Sequence, residues 1–397
     1  MDLADQIIKQ LYFFECLSVS ELSALTGKSI PKVTEEVGKL VLGETLMESG
    51  FAASTGGRRA MKYAVNAGRL PHIATIAVDQ RFTTLAVLDY KNRYVVFPRT
   101  ITTDIYGSKD TLDLVIAGVK KMLNELSGEE PLIIGLTMPG FVDKELGVNL
   151  SFPVNSPWYD VRKRIQDALG HTVQIANDSS AIAIAEHKLG AAKGSEDVLV
   201  VNLNWGVGLG IIIHDKLYKG HAGYAGEFSH IPLADARQLC SCGKKGCLEV
   251  EASLSSALSY VYEYLDQGEP SSLGAVLEKK GALNLADLVD AFESGDQVVI
   301  KAVRKISHML GKGLSTLIHI MNPEKIIISG NGAAFGSGLL PTIHSAIQEY
   351  CIPRLGKLTD VQVSDFADVQ TISTACIAVQ QSNMYQFQHK QIKLQQL

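Results

Sequence analysis

Leu3, Ile7, Ile8, Leu11 and Phe14 recur at the spacing of one face of an amphipathic helix. A shorter apolar run follows, with Leu22 and Leu25 inward, Ser20 placed to cap it and Gly27 just past its end. Ser29 opens a third helix with Pro31 in its first turn and Ile30, Val33, Val37, Leu40 and Val41 on the buried side. The segments LMESGFA and AMKYAVN then alternate around Gly56 and Gly57, the pattern of a hairpin. Two short helices across a glycine turn, followed by a hairpin, predict a winged helix-turn-helix over residues 1–70. Its third helix would offer Lys28, Ser29, Lys32, Thr34 and Glu35 to a major groove. Its wing would bring Arg58 and Arg59 to phosphates or a minor groove. A winged helix used for protein docking has the same pattern, and Glu35 and Glu36 suit DNA only where a carboxylate accepts from a cytosine amino group.

From His72 the periodicity changes. IATIAVD, TTLAVLD and YVVFPRT read as successive strands, a helix follows over residues 111–126, and LIIGLTM is a buried strand. A second set runs from DVLVVNLNWGVGLGIII to KIIISGNGAAFG, so the chain is read as α/β with two lobes and a cleft between them. The lobes are expected at 71–195 and 196–376. The apolar positions Met384, Phe387, Ile392 and Leu394 predict a closing helix, 377–397, that packs back on the first lobe.

Composition narrows the class. At 397 residues, 46% hydrophobic and 20% charged, the chain is globular, with material for two or three domains. No apolar run approaches the roughly 18 residues of a membrane span, and the acidic start MDLADQ is unlike a signal peptide, so a cytoplasmic protein with no membrane partner is expected. The net charge of −5 hides a local surplus: residues 28–70 hold seven Lys/Arg against four Asp/Glu. That surplus alone does not identify a nucleic-acid binder.

The candidate chemistry is concentrated. Cys240, Cys242 and Cys247 lie within eight residues on a loop with Gly243 and Gly246, and His230 stands ten residues upstream. Three thiolates and an imidazole suit tetrahedral Zn²⁺, and a closed four-ligand shell makes the ion structural rather than hydrolytic. Asn177 and Asp178 open a helix, where Asp178 reads either as its N-cap or as a carboxylate that takes a sugar hydroxyl proton. Glu227 and Glu249 flank the metal loop, and Asn155 lies in a Pro/Asn/Ser stretch before Trp158.

These segments resemble the ROK family (repressor, open reading frame, kinase) along essentially the whole chain. HAGYAGEFSHIPL followed by CSCGKKGCLE is similar to the family's histidine segment and C-x-C-G-x-x-G-C-x-E loop, with Ser229 where a glycine is usual; TMPGFVD, the AND triplet at 176–178 and MNPEKIIISG agree in order. The resemblance implies an actin-like, ribonuclease H-like sugar-kinase fold and zinc on His230, Cys240, Cys242 and Cys247. It also implies sugar contacts from Asn155, Asn177, Asp178, Glu227, His230 and Glu249, with Asp178 at the catalytic-base position.

Phosphate loops then separate repressor from kinase. Family kinases carry D-x-G-G-T after the first strand, where backbone amides approach phosphate. Here the run is Asp79-Gln80-Arg81-Phe82-Thr83. The second loop, G-T-G-x-G, is read at Gly206-Val207-Gly208-Leu209-Gly210, without the threonine. Asp178 is therefore expected to be a vestige rather than a catalytic residue. The reading is a sugar-responsive regulator of the repressor branch, akin to the xylose and N-acetylglucosamine types. It would bind operator DNA as a homodimer or homotetramer and be released by a monosaccharide or sugar phosphate. The alternative is an active ATP-dependent sugar kinase with an appended DNA-binding domain.

Overall fold

The computed structural model describes residues 2–52, 59–107, 111–126, 132–233 and 238–383. The chain divides into two compact units, Met1–Ala181 rejoined by the chain from Gln370 onward, and Ile182–Val369.

The first unit opens with α1 (Leu3–Phe14), β1 (Cys16–Ser18), α2 (Val19–Thr26), α3 (Ile30–Leu42), β2 (Leu46–Phe51) and β3 (Met61–Val65), with strand order β1-β3-β2. This is the element order and pairing of a winged helix. The cap of α2 is Ser18 rather than Ser20. The Ser18 hydroxyl accepts from Glu21 N and the Glu21 carboxylate returns to Ser18 N at 2.7 Å, a reciprocal capping box that Ser20 cannot form. Gly27 takes the left-handed conformation (φ 65°) that ends α2. On α3, Val33, Val37 and Leu40 are buried, but Ile30 is 54% exposed. At about 100° per residue it stands some 60° off that stripe in the opening turn. The hairpin tip, with Arg58, lies outside the described residues; Arg59 is exposed.

α1 is buried on more than its apolar face. Asp5 and Lys9 form a buried ion pair at 2.8 Å, and the Tyr12 hydroxyl donates to Asn92 Oδ1 at 2.6 Å while its ring meets Tyr90 edge-on. Residues 1–70 therefore share a compact unit with the α/β segment that follows, and do not form a separate one.

That segment comprises β4 (His72–Val78), β5 (Phe82–Leu88), β6 (Tyr94–Thr102), α4 (Thr111–Leu123), β7 (Leu132–Met138), the short hairpin β8 (Val142–Asp143) and β9 (Val148–Asn149), α5 (Val161–Leu169) and β10 (Val173–Asn177). Its sheet runs β10-β7-β4-β5-β6, with β4, β7 and β10 parallel. Ile76, Val87, Ile134, Leu136 and Trp158 fill the layer between sheet and helices.

α6 (Asp178–Leu189) crosses into the second unit, which holds β11 (Val198–Leu203), β12 (Val207–Ile213), β13 (Lys216–Leu217), α7 (Glu249–Ala252), α8 (Leu254–Asp266), α9 (Leu273–Lys280), α10 (Leu285–Glu293), α11 (Gln297–Met321), β14 (Lys325–Ser329), α12 (Leu340–Tyr350), α13 (Pro353–Gly356) and β15 (Asp360–Val363). Its sheet order is β13-β12-β11-β14-β15. α14 (Val369–Gln381) carries the chain back. The lobe boundaries expected at 195/196 and 376/377 thus compare with divisions inside α6 and α14, at 181/182 and 369/370. The physical reason is packing: Ile182, Ala183 and Val369 already belong to the second unit's core. The returning helix starts at Val369, and residues 384–397 lie outside the described residues. Among the described residues no helix is long and apolar enough to cross a membrane.

Candidate functional site

The metal loop is folded by its own backbone. Cys240 N donates to Lys244 O at 2.8 Å, Leu248 N donates to Ile231 O at 3.0 Å, and Gly243 and Gly246 take φ of 83° and 78°, where a side chain would be strained. These turns bring one ligand atom each from His230, Cys240, Cys242 and Cys247 within 4.8 Å of one another. Cys240 Sγ lies 3.4 Å from His230 Nδ1, and Cys242 Sγ lies 3.5 Å from Cys247 Sγ. Ligands bound tetrahedrally at about 2.1–2.3 Å stand roughly 3.5–3.8 Å apart, so the group could hold a metal ion with little rearrangement.

Electrostatics agree. Burial and the neighbouring thiols push Cys247 up to about 12, and burial raises Cys240, whereas the Lys244 backbone N–H holds Cys242 below its ordinary value. Three thiolates this close repel one another, and a bound cation would offset that repulsion. His230 turns Nδ1 toward the sulfurs, while its Nε2 faces Glu227 Oε2 at 3.6 Å. Glu249 reaches Cys240 Sγ at 3.7 Å and Ser241 Oγ at 3.4 Å with one oxygen, and Val207 N at 3.5 Å with the other. Glu227, His230 and Glu249 are thus brought together by the metal loop. Ser241, which sequence reasoning passed over, belongs to this group.

In the first unit the helix cap is Asn177, not Asp178. Asn177 Oδ1 accepts from Ser180 N at 3.0 Å, and its amide donates to Gly140 O at 3.1 Å. Asp178 occupies the first helical position, is nearly buried, and accepts from Ser179 N at 2.7 Å. Asn155 is exposed on the loop before Trp158. Ser151 of that loop accepts from Phe141 N at 2.9 Å, so the Asn155 loop and Asn177 hang from the same turn after β7.

Both candidate phosphate turns are held by hydrogen bonds of their own. Between β4 and β5, Asp79 N donates to Phe82 O at 2.8 Å, and the Asp79 carboxylate takes the Gln80 N–H. No residue from 79 to 83 has positive φ, so the backbone does not open as a glycine pair would allow. The second turn lies earlier than the sequence reading placed it, because Val207–Gly210 is strand. The turn residues are Asn204, Trp205 and Gly206, with Trp205 buried and its carbonyl taking the Ser255 hydroxyl at 2.7 Å. The alternation of apolar residues with Asn and Gly runs unbroken from Val201 to Ile211, so periodicity gives no sign of this turn.

Solved structures share this fold. A ROK family transcriptional regulator, a homologue of the E. coli Mlc protein, superposes with a TM-score of 0.74 at 24% identity over 96% of both chains. A Streptomyces griseus ROK glucokinase superposes with a TM-score of 0.66 at 24% identity, over 77% of this chain and 99% of that one. The α/β fold is thus one shared by a ROK regulator and a ROK glucokinase, and in this chain it follows a winged-helix arrangement of α1–α3 and β1–β3. The ROK family profile matches residues 63–381, and the chain belongs to that family. Similar relatives include a xylose repressor of Caldicellulosiruptor bescii, 28% identical over 96% of both chains. A glucokinase of Halalkalibacterium halodurans is 30% identical over 71% of this chain and 84% of its own.

Proposed function

We propose that this protein is a sugar-responsive transcriptional repressor of carbohydrate-utilisation genes. The observation that carries the reading is the pairing of a winged helix with a ROK body whose first phosphate turn is shut by Asp79, Gln80 and Phe82. Operator DNA meets α3 and the wing, through Lys28, Ser29, Lys32, Thr34, Arg58 and Arg59. A monosaccharide or its phosphate is held by Asn155, Asn177, Asp178, Glu227, His230 and Glu249. Asp178 serves here as a hydroxyl acceptor, since a base without a seated phosphoryl donor transfers nothing.

Zinc occupies the His230, Cys240, Cys242 and Cys247 group, as the soft donors favour, and its part is structural: it fixes the loop that orients Glu227 and Glu249. The protein acts as a homodimer or homotetramer in the cytoplasm. Half-sites stand about 34 Å or a multiple apart, so a small change in the spacing of two winged helices prevents both from docking.

The 30% identity to a glucokinase favours a second reading, an active kinase. One experiment separates them. A panel of monosaccharides and sugar phosphates is screened by thermal shift, and each hit is then titrated against the protein with and without operator. A repressor releases DNA on sugar binding, binds sugar more weakly on DNA by the same factor, and shows no sugar phosphorylation with ATP. Asp178→Ala should remove the sugar response and leave DNA affinity intact. Equal sugar affinity with and without operator, or turnover with ATP, would reject the repressor mechanism.

A further inference from the structure

The outward line of α3 has an unexpected composition. With Val33, Val37 and Leu40 buried, the positions opposite them on a 3.6-residue helix are Pro31, Glu35, Gly38 and Leu42, all exposed. Lys32 and Lys39 flank this line on one side. Thr34 lies on the other, where its hydroxyl is spent on the Ile30 carbonyl at 2.8 Å. A face built only to grip phosphate would centre its lysines; this one centres a carboxylate.

Glu35 is also prepared to stay ionised. Lys39 Nζ stands 2.8 Å from Glu35 Oε1 and holds that carboxyl below its usual range. The same ammonium reaches Glu36 at 3.6 Å, which tethers Lys39 over the acidic pair and offsets their repulsion of DNA. Next along the line, Gly38 is a mid-helix glycine on which an added Cβ would meet nothing within 4 Å. The chain's own packing does not require glycine there, although it weakens the helix, so the space it leaves is available to whatever approaches from outside.

An ionised carboxylate can only accept hydrogen bonds. Major-groove donors are the amino groups of cytosine and adenine. The adenine amino group sits beside N7, whose lone pair repels a carboxylate; the cytosine amino group has only a C–H beside it. Guanine presents two acceptors and is repelled outright. We propose that Glu35 is the specificity-determining residue of the operator contact, accepting a hydrogen bond from a cytosine amino group while Gly38 lets the groove edge approach α3. Lys32 faces the phosphates of one strand beside it, while Lys39 stays on the acidic pair. This inference rests on the operator reading above.

The test is selection of double-stranded oligonucleotides from a random pool by the full-length protein, with Glu35→Ala and Glu35→Gln in parallel. Glu35 is exposed and its replacement leaves the core of the winged helix untouched. The wild-type protein should enrich a motif with cytosine at one fixed position for each bound α3, other bases there binding about 10- to 100-fold more weakly. Glu35→Ala should make that position degenerate and leave the remaining positions unchanged. Glu35→Gln should move the preference to adenine, which offers glutamine both a donor and an acceptor. A Glu35→Ala motif identical to the wild-type motif, or a wild-type motif with no such cytosine, overturns the inference and leaves the operator reading standing. If the wild-type protein enriches no motif, the operator reading falls and takes this inference with it.

Discussion

Replacing Gly135 by alanine inserts a methyl group where α14 crosses β7. Gly135 lies in mid-strand, paired with Thr75 of β4 on one side and Gln174 of β10 on the other. A Cβ on its backbone would stand 2.4 Å from the Thr374 carbonyl oxygen and 3.1 Å from both Thr374 Cγ2 and Ala378 Cβ. Non-bonded heavy atoms sit comfortably at about 3.5 Å, so α14 must retreat by close to 1 Å. The nearest atom belongs to the helix backbone, and no rotamer change relieves it. Overpacking costs typically 1–3 kcal/mol, and a rigid neighbour places this case at about 2–3 kcal/mol. The retreat also strains the Thr137–Thr374 hydroxyl pair at 2.5 Å and the approach of Cys376 Sγ to the Tyr12 hydroxyl at 4.0 Å, where α14 meets α1. For a unit of this size each kcal/mol moves Tm by roughly 2–4 °C, so a fall of about 4–12 °C is expected. The same methyl added at Gly38 meets nothing, and should instead stabilise α3 by about 0.5–1 kcal/mol. Calorimetry of Gly135→Ala and Gly38→Ala side by side reads both signs. A Gly135→Ala transition indistinguishable from wild type would refute the argument that α14 seats directly on the β7 backbone.

Two further outcomes follow from the same geometry. Elemental analysis of the purified protein should find one zinc per chain, and Cys242→Ser or a strong chelator should remove it and lower the melting point, because the ion's binding free energy is folding free energy for this loop; full stability and sugar response in metal-free Cys242→Ser would reject the assignment. Burial, then the Lys188 ammonium, hold His187 below its ordinary value, and Asp215 at 3.1 Å offsets this only in part. The folded protein there binds fewer protons than the unfolded chain, so this stabilisation is complete above the ordinary histidine pKa and is lost as pH falls through the lowered folded value. Wild type should lose more stability than His187→Gln between about pH 7 and pH 5. Parallel denaturation curves for the two across that range would exclude it.

Much of the site was legible because its parts are close in sequence. His230 and the three cysteines span eighteen residues, and glycines at 243 and 246 supply the turns, so residue types and spacing suffice to forecast the cluster. The α2 cap was legible in principle, since Ser18-Val-Ser-Glu21 carries the capping-box signature. Asn177 and Asp178 could not be told apart, because both can cap a helix and only the contacts with Ser180 and Gly140 assign the role. Asp5, Lys9 and Tyr12 lie off the apolar stripe of α1 yet are buried; for Tyr12 the cover comes from distant parts of the chain, Asn92 in the turn after β5 and Cys376 of α14.

By itself the sequence determined the helices and hairpin of the N-terminal segment, the longer strands of both sheets and the His230–Cys240–Cys242–Cys247 cluster. Each follows from local periodicity, capping or spacing, which act over a few residues and are written in residue type. Tertiary structure alone decided where the chain divides, inside α6 and α14 rather than at the loops, and which helix closes on Gly135. Those outcomes depend on close packing between residues as far apart as Gly135 and Thr374, and van der Waals fit at that range leaves no periodic trace in the chain.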